Sequence, residues 1–244
     1  EQELPVYQKL GDVRSVAVTQ GQIADILQAR GQLDEAMRIR QELQLPVYEK
    51  LGDVREMAVT QGKIADILQA RGQLDEAMRI RQELQLPVYE KLGDVRSVAV
   101  CQGKIANILQ ARGQLDEAME RLQQHALPTF ERLGDRDSIA ATLWGIAQIQ
   151  IAQDNLEAAA PKIVEAYSLV SEMGRLEGIA FIGQIFGQLL IAHGHPEEGL
   201  IVLQRSIDGF RQLGREDNAH QTEEILTAAK EYIANQPNVE EEAD

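Results

Sequence analysis

Residues 53–93 read DVREMAVTQGKIADILQARGQLDEAMRIRQELQLPVYEKLG, and this stretch decides the fold. Asp53 follows Gly52 and is a good helix N-cap, with Glu56 three residues on in a capping-box pattern. Met57, Ile64, Ile67 and Leu68, with Ala65 among them, then recur at helical spacing. Arg71 suits the negative end of a helix dipole, and Gly72 stops the helix. Leu74-Asp75-Glu76-Ala77 starts a second helix with two acids in its first turn, and Ala77, Ile80, Leu84, Val88 and Leu92 give its apolar stripe as far as Gly93. The stretch is a helical hairpin with one apolar stripe per helix, so it must bury that surface against neighbours.

Outward from this unit the chain repeats itself. Leu4-Pro5-Val6-Tyr7 returns as Leu45-Pro46-Val47-Tyr48 and Leu86-Pro87-Val88-Tyr89, and then as Leu127-Pro128-Thr129-Phe130, each 41 residues after the last. A period of that size predicts an array of stacked hairpins. First helices are expected near 12–30, 53–71, 94–112, 135–153 and 175–193. Later units are diverged, and Gly134, Gly174 and Gly214 are 40 apart. The longer units carry their extra residue near the proline, which predicts a π-bulge or kink beside Pro46, Pro87 and Pro128 and none at 164–168. The last segment sets Ala219, Ile225, Leu226, Ala229 and Ile233 against a face of Asp217, Glu223, Glu224 and Glu231, as a closing helix requires.

The organisation expected is the end of a truncated repeat over 1–11, five hairpins over 12–214, a closing helix over 215–235 and a disordered acidic tail over 236–244. The start in mid-repeat reads as a fragment of a longer array. The net charge of −15 argues against nucleic acid. It is uneven: residues 1–126 carry 16 basic and 19 acidic side chains, residues 127–244 carry 8 and 20. A single cysteine, Cys101, stands where Thr19 and Thr60 stand, reads as a packing residue and fits a reducing, cytoplasmic setting. No apolar run approaches the roughly 20 residues of a membrane span.

Catalytic machinery is not expected. His193 and His195 flank Gly194 in a hairpin turn and lack the converging ligands of a metal site. His125 and His220 are isolated. The Asp-Glu pairs at 34–35, 75–76 and 116–117 point to different sides of a helix and complement its dipole. No phosphate loop, nucleophile elbow or metal-ligand helix motif occurs, so neither an enzyme activity nor a cofactor or metal is expected.

Ile64-Ala65, Leu68, Gly72, Leu74 and Ala77 resemble the tetratricopeptide repeat pattern, and Lys50-Leu51-Gly52-Asp53 resembles the roughly 40-residue variant of Pins-type adaptors and bacterial signalling ATPases. The resemblance implies an all-α, right-handed superhelical solenoid whose first helices line a concave groove, and no chemistry. It also implies that certain first-helix positions face the groove. These are Gln22, Lys63 and Lys104 at the sixth, Asp25, Asp66, Asn107 and Gln148 at the ninth, and Gln28, Gln69 and Gln110 at the twelfth. The fifth position is Gly21, Gly62 and Gly103, then Trp144, the only tryptophan. Helical glycine costs about 1 kcal/mol against alanine, so the row implies close backbone approach or room for a guest. Trp144 is either a core residue or an anchor on the groove wall. The function implied is a protein-interaction scaffold, the sensor or adaptor region of a larger signalling protein, holding a protein segment in the groove. The alternative is a receptor for a peptide C-terminal carboxylate, clamped by Lys104, Asn107 and Lys63. Oligomeric state is left open.

Overall fold

The computed structural model describes residues 4–235, and among these every regular element is helical. The tail expected over 236–244 lies outside the described residues. The chain divides into two compact units, residues 1–129 and 130–244. The first holds α1 (Leu4–Leu10), α2 (Val13–Ala29), α3 (Leu33–Arg38), α4 (Leu45–Leu51), α5 (Val54–Ala70), α6 (Leu74–Arg79), α7 (Leu86–Lys91), α8 (Val95–Ala111) and α9 (Leu115–Glu120). The division falls within α10 (Leu127–Leu133). The second holds α11 (Arg136–Ala152), α12 (Leu156–Glu172), α13 (Leu176–Ala192), α14 (Pro196–Gln212) and α15 (Glu216–Ala234). The first helices, α2, α5, α8, α11 and α13, lie within one residue of the spans that the periodicity predicts.

One local device makes each junction. Gly52 adopts φ 64°, which turns its own N–H onto the Glu49 carbonyl (3.1 Å) and that of Asp53 onto Tyr48 (3.0 Å). These are the paired bonds of a Schellman C-terminus. Asp53 then caps the next helix, its carboxylate accepting the Glu56 N–H at 3.1 Å. The capping box expected from Glu56 is therefore half formed, because the Asp53 N–H is already given to Tyr48. The hairpin turns use the same left-handed geometry at Gly72, and Asp154 supplies it without glycine at φ 57°.

Between α3 and α4 the helix does not break. It continues as a π-helix over Ile39–Gln44, as it does over Ile80–Gln85 and Arg121–Ala126. Leu45, Leu86 and Leu127 donate to carbonyls five residues back, on Arg40, Arg81 and Leu122. The wide turn absorbs the extra residue of each 41-residue unit, and it draws away the carbonyl that the following proline ring would strike. In the shorter unit α12 is an uninterrupted α-helix although Pro161 lies inside it. This shorter unit lacks both the extra residue and a proline at 164–168, and it has no π segment.

The π turn also corrects the expected stripe of the second helix. Ala77 and Ile80 are buried as expected, with Met78 beside them, but from there the buried positions run Arg81, Gln85 and Tyr89, four apart, while Leu84 and Val88 are only partly buried and Leu92 is exposed. A straight α-helix would drift by about 40° per four-residue step, and a wider turn takes up that drift. In the second unit, α15 lays Ala219 and Leu226 on Leu203, Ile207 and Phe210 of α14. No helix among the described residues is long and apolar enough to cross a membrane.

Candidate functional site

In the first unit the polar row of the first helices is a ladder of ion pairs. Asp25 Oδ1 is 2.7 Å from Arg40 Nη2 and 3.0 Å from Lys63 Nζ. One repeat on, Asp66 Oδ1 is 2.6 Å from Arg81 Nη2 and 3.1 Å from Lys104 Nζ. Each aspartate thus ties the second helix of its own hairpin to the first helix of the next. Arg40 and Arg81 are each 3% exposed, and a buried guanidinium needs a carboxylate close by. Burial draws the Arg40 pKa below its ordinary range, and Asp25 opposes that shift.

The ladder explains the glycine row. Arg40 Nη1 donates to Gln44 Oε1 at 2.7 Å, and Arg81 Nη1 to Gln85 Oε1 at 2.5 Å. These glutamines lie on Gly21 and Gly62, where an added Cβ would collide with their Nε2 atoms. Of the two readings, close approach holds there. At Gly103 an added Cβ meets nothing within 4 Å, because Leu122 and Ala126 stand where Arg81 and Gln85 stand. Asn107 replaces Asp66 in that same repeat. The differences among the near-copied units are thus changes in one network. The ladder takes up Asp25, Asp66, Lys63 and Lys104. Gln22 and Asn107 are exposed, and Gln28, Gln69 and Gln110 are partly buried.

The second unit has a different surface. Trp144 on α11 is partly buried and lines a cleft of about 550 Å³ with Ala140 and Ala141. Phe181, Leu176 and Ile182 of α13 form the opposite wall, and Val170 of α12 also lines it. At one end Arg175 holds Asp137 through two bonds of 2.5 Å. Phe181 packs edge-on to Phe210, ring centroids 4.8 Å apart, with the Arg215 guanidinium 5.3 Å above its ring. Phe181 is therefore held from behind. Gln148 is exposed one turn along α11 from Trp144. Sequence reasoning missed Phe181, Ile182, Val170 and the Asp137–Arg175 pair. The available signal was aromatic content: all four phenylalanines and the one tryptophan fall in residues 130–244.

The remaining polar candidates have local explanations. His193 Nδ1 lies 2.9 Å from the Leu189 carbonyl within its turn, and His195 lies 3.7 Å from Glu198. No group of three or more His, Cys, Asp or Glu among the described residues could hold a metal ion. Cys101 is buried, and burial pushes its thiol up to about 11, which keeps it protonated and unreactive at neutral pH.

No protein-family model matches this chain, and no curated protein does either. Solved structures do. The chain is similar to BtubC (BKLC) from P. vanneervenii, with a TM-score of 0.62 at 16% identity over 100% of this chain and 93% of that one. A putative kinesin light chain of Podosopora anserina with nearly identical TPR-like repeats matches at a TM-score of 0.55 and 18% identity, over 91% of this chain and 99% of that one. The Rap conjugation gene regulator of the plasmid pLS20, in complex with the Phr* peptide, matches at 0.72 and 16% identity, over 95% of this chain and 62% of that one. At these identities the likeness is one of fold, a tetratricopeptide-type helical repeat.

Proposed function

We propose that this chain is a protein-interaction scaffold and that a peptide segment docks in the Trp144 cleft of the second unit. The observation that carries the reading is a tryptophan and a phenylalanine from successive first helices, facing one open apolar cleft. Rigid aromatic groups in such a cleft are the usual energetic centre of a protein contact. A volume of about 550 Å³ takes more than one side chain, which suits a turn of helix or an extended segment. A protein of similar fold has been solved with a peptide bound, which is in keeping with this use of the architecture. Gln148, exposed one turn along α11 from Trp144, then serves as a polar flank within the second unit. In this reading the chain is the sensor or adaptor part of a signalling protein. The carboxylate-clamp alternative is weaker, because Lys104 is already 3.1 Å from the fixed carboxylate of Asp66.

The experiment is a selection of random displayed peptides on the chain, followed by calorimetry of the peptides recovered. They are expected to carry a large apolar anchor and to perturb the fluorescence of Trp144. Trp144→Ala is expected to weaken them by about 30-fold, equivalent to about 2 kcal/mol, with the helical circular dichroism retained. Peptides that bind Trp144→Ala as tightly as the parent chain would place the site elsewhere.

A further inference from the structure

The second unit has another cavity, of about 290 Å³, between α12 and α14 and over the start of α13. Tyr167 and Ser171 of α12, Leu176 and Ile179 of α13, and Arg205 and Asp208 of α14 line it. Of these, Leu176 also lines the Trp144 cleft and the others do not. The volume is just under the roughly 300–1,000 Å³ of most ligand pockets, so it suits a small metabolite and not a peptide segment.

Two of these side chains carry hydroxyls without partners. Tyr167 is 6% exposed, its ring is tilted against Phe186 with centroids 4.7 Å apart, and its hydroxyl has no hydrogen-bond partner among the described residues. Ser171, one turn on, is partly buried, and its Oγ is likewise buried and unpartnered. Such a hydroxyl has given up its bonds to water and gained none in return. The charges are uncommitted as well. Arg205 and Asp208 are three residues apart on α14, a spacing at which opposite charges can pair, yet they do not pair with each other. Asp208 Oδ1 instead accepts the Gln204 amide N–H at 3.1 Å, and Arg205 makes no hydrogen bond or ion pair with a described residue. One small cavity thus presents a cation, an anion, two hydroxyl-bearing side chains and an apolar wall of Leu176 and Ile179.

We propose that this cavity binds a free α-amino acid with an aliphatic side chain. The ligand's carboxylate meets the Arg205 guanidinium, whose planar fork of N–H donors matches a carboxylate. Its ammonium meets Asp208, whose Oδ2 accepts no bond from a described residue. The same two charged groups offer partners to the Tyr167 and Ser171 hydroxyls, and the aliphatic side chain lies on Leu176 and Ile179. The charges of the lining cancel, which is what a zwitterion requires. The Asp208 carboxylate disfavours a dianion such as phosphate. A peptide terminus carries one of the two charges and would leave Arg205 or Asp208 unmet.

The test is calorimetric titration of the full chain with L-leucine, L-isoleucine, L-valine and L-methionine, each up to about 5 mM. At least one is expected to bind saturably, at one site per chain. Arg205→Gln and Asp208→Asn change exposed side chains, so each should keep the circular dichroism and weaken binding about tenfold. Tyr167→Phe keeps the ring against Phe186 and loses no bond within the described chain, so it should fold normally and bind roughly three- to tenfold more weakly. The N-acetyl and amide derivatives of the amino acid that binds each lack one charge, and each should bind at least about tenfold more weakly than the parent. Inorganic phosphate should not compete. Failure of all four amino acids to bind at the highest concentration would overturn the proposal. So would derivatives that bind as tightly as the free amino acid, competition by phosphate, or binding indifferent to Arg205→Gln and Asp208→Asn.

Discussion

Asp66→Ala removes the carboxylate that Arg81 and Lys104 share. The Arg81 side chain is 4% exposed and that of Asp66 is 23% exposed, so the guanidinium cannot turn to water without opening the hairpin. It would keep one bond, 2.5 Å to Gln85 Oε1, and its Nε is without a partner already. An uncompensated buried charge costs about 3–5 kcal/mol, and the remaining glutamine and the half-open rim reduce this to about 2–3 kcal/mol. The third repeat supplies the rescue, since it carries Asn107, Leu122 and Ala126 at these three places. Asp66→Asn/Arg81→Leu/Gln85→Ala should therefore lie within about 1 kcal/mol of the parent chain. The assay is native-state hydrogen exchange of the amides in α5 and in residues 80–85. It reports local opening where a chain of two units gives no single unfolding free energy. Asp66→Ala should lower protection there by roughly 30- to 150-fold. A loss smaller than about 1 kcal/mol, or a triple variant as unstable as the single one, would refute the account of the ladder.

The glycine row should split under one substitution. Gly62→Ala drives a Cβ into Gln85 Nε2 and to 2.9 Å from Arg81 Nη1, and should destabilise by about 1–3 kcal/mol. Gly103→Ala meets nothing within 4 Å and should stabilise by up to about 1 kcal/mol, so native-state hydrogen-exchange protection in the substituted helix should fall for the first variant and rise for the second. Pro87→Ala should leave the π segment Ile80–Gln85 in place, because the extra residue demands it; a crystal structure showing Leu86 N–H bonded four residues back instead of to Arg81 would contradict this.

Much of the fold was legible in particular residues because their effects are local. Gly52 and Asp53 set a left-handed turn and a cap through bonds spanning five residues or fewer, so helix ends could be read one repeat at a time. The π segment was legible too, as an arithmetic surplus of one residue beside a proline. The candidate site was legible only in part. Trp144 stood out by its rarity, while Phe181 gave no sign of being its neighbour across a cleft.

The sequence by itself determined where the first helices start and stop, how the hairpins repeat and that the longer units need a π-bulge or kink beside the proline. Tertiary structure alone decided that Arg40 and Arg81 are buried, that Gly21 and Gly62 seat glutamines, and that Trp144 and Phe181 share a cleft. The physical reason is that caps and turns depend on a residue and its nearest neighbours along the chain. Burial and charge pairing depend on what a residue 15 to 40 places away sets opposite, as Arg40 sits opposite Asp25 and Lys63 opposite Asp25.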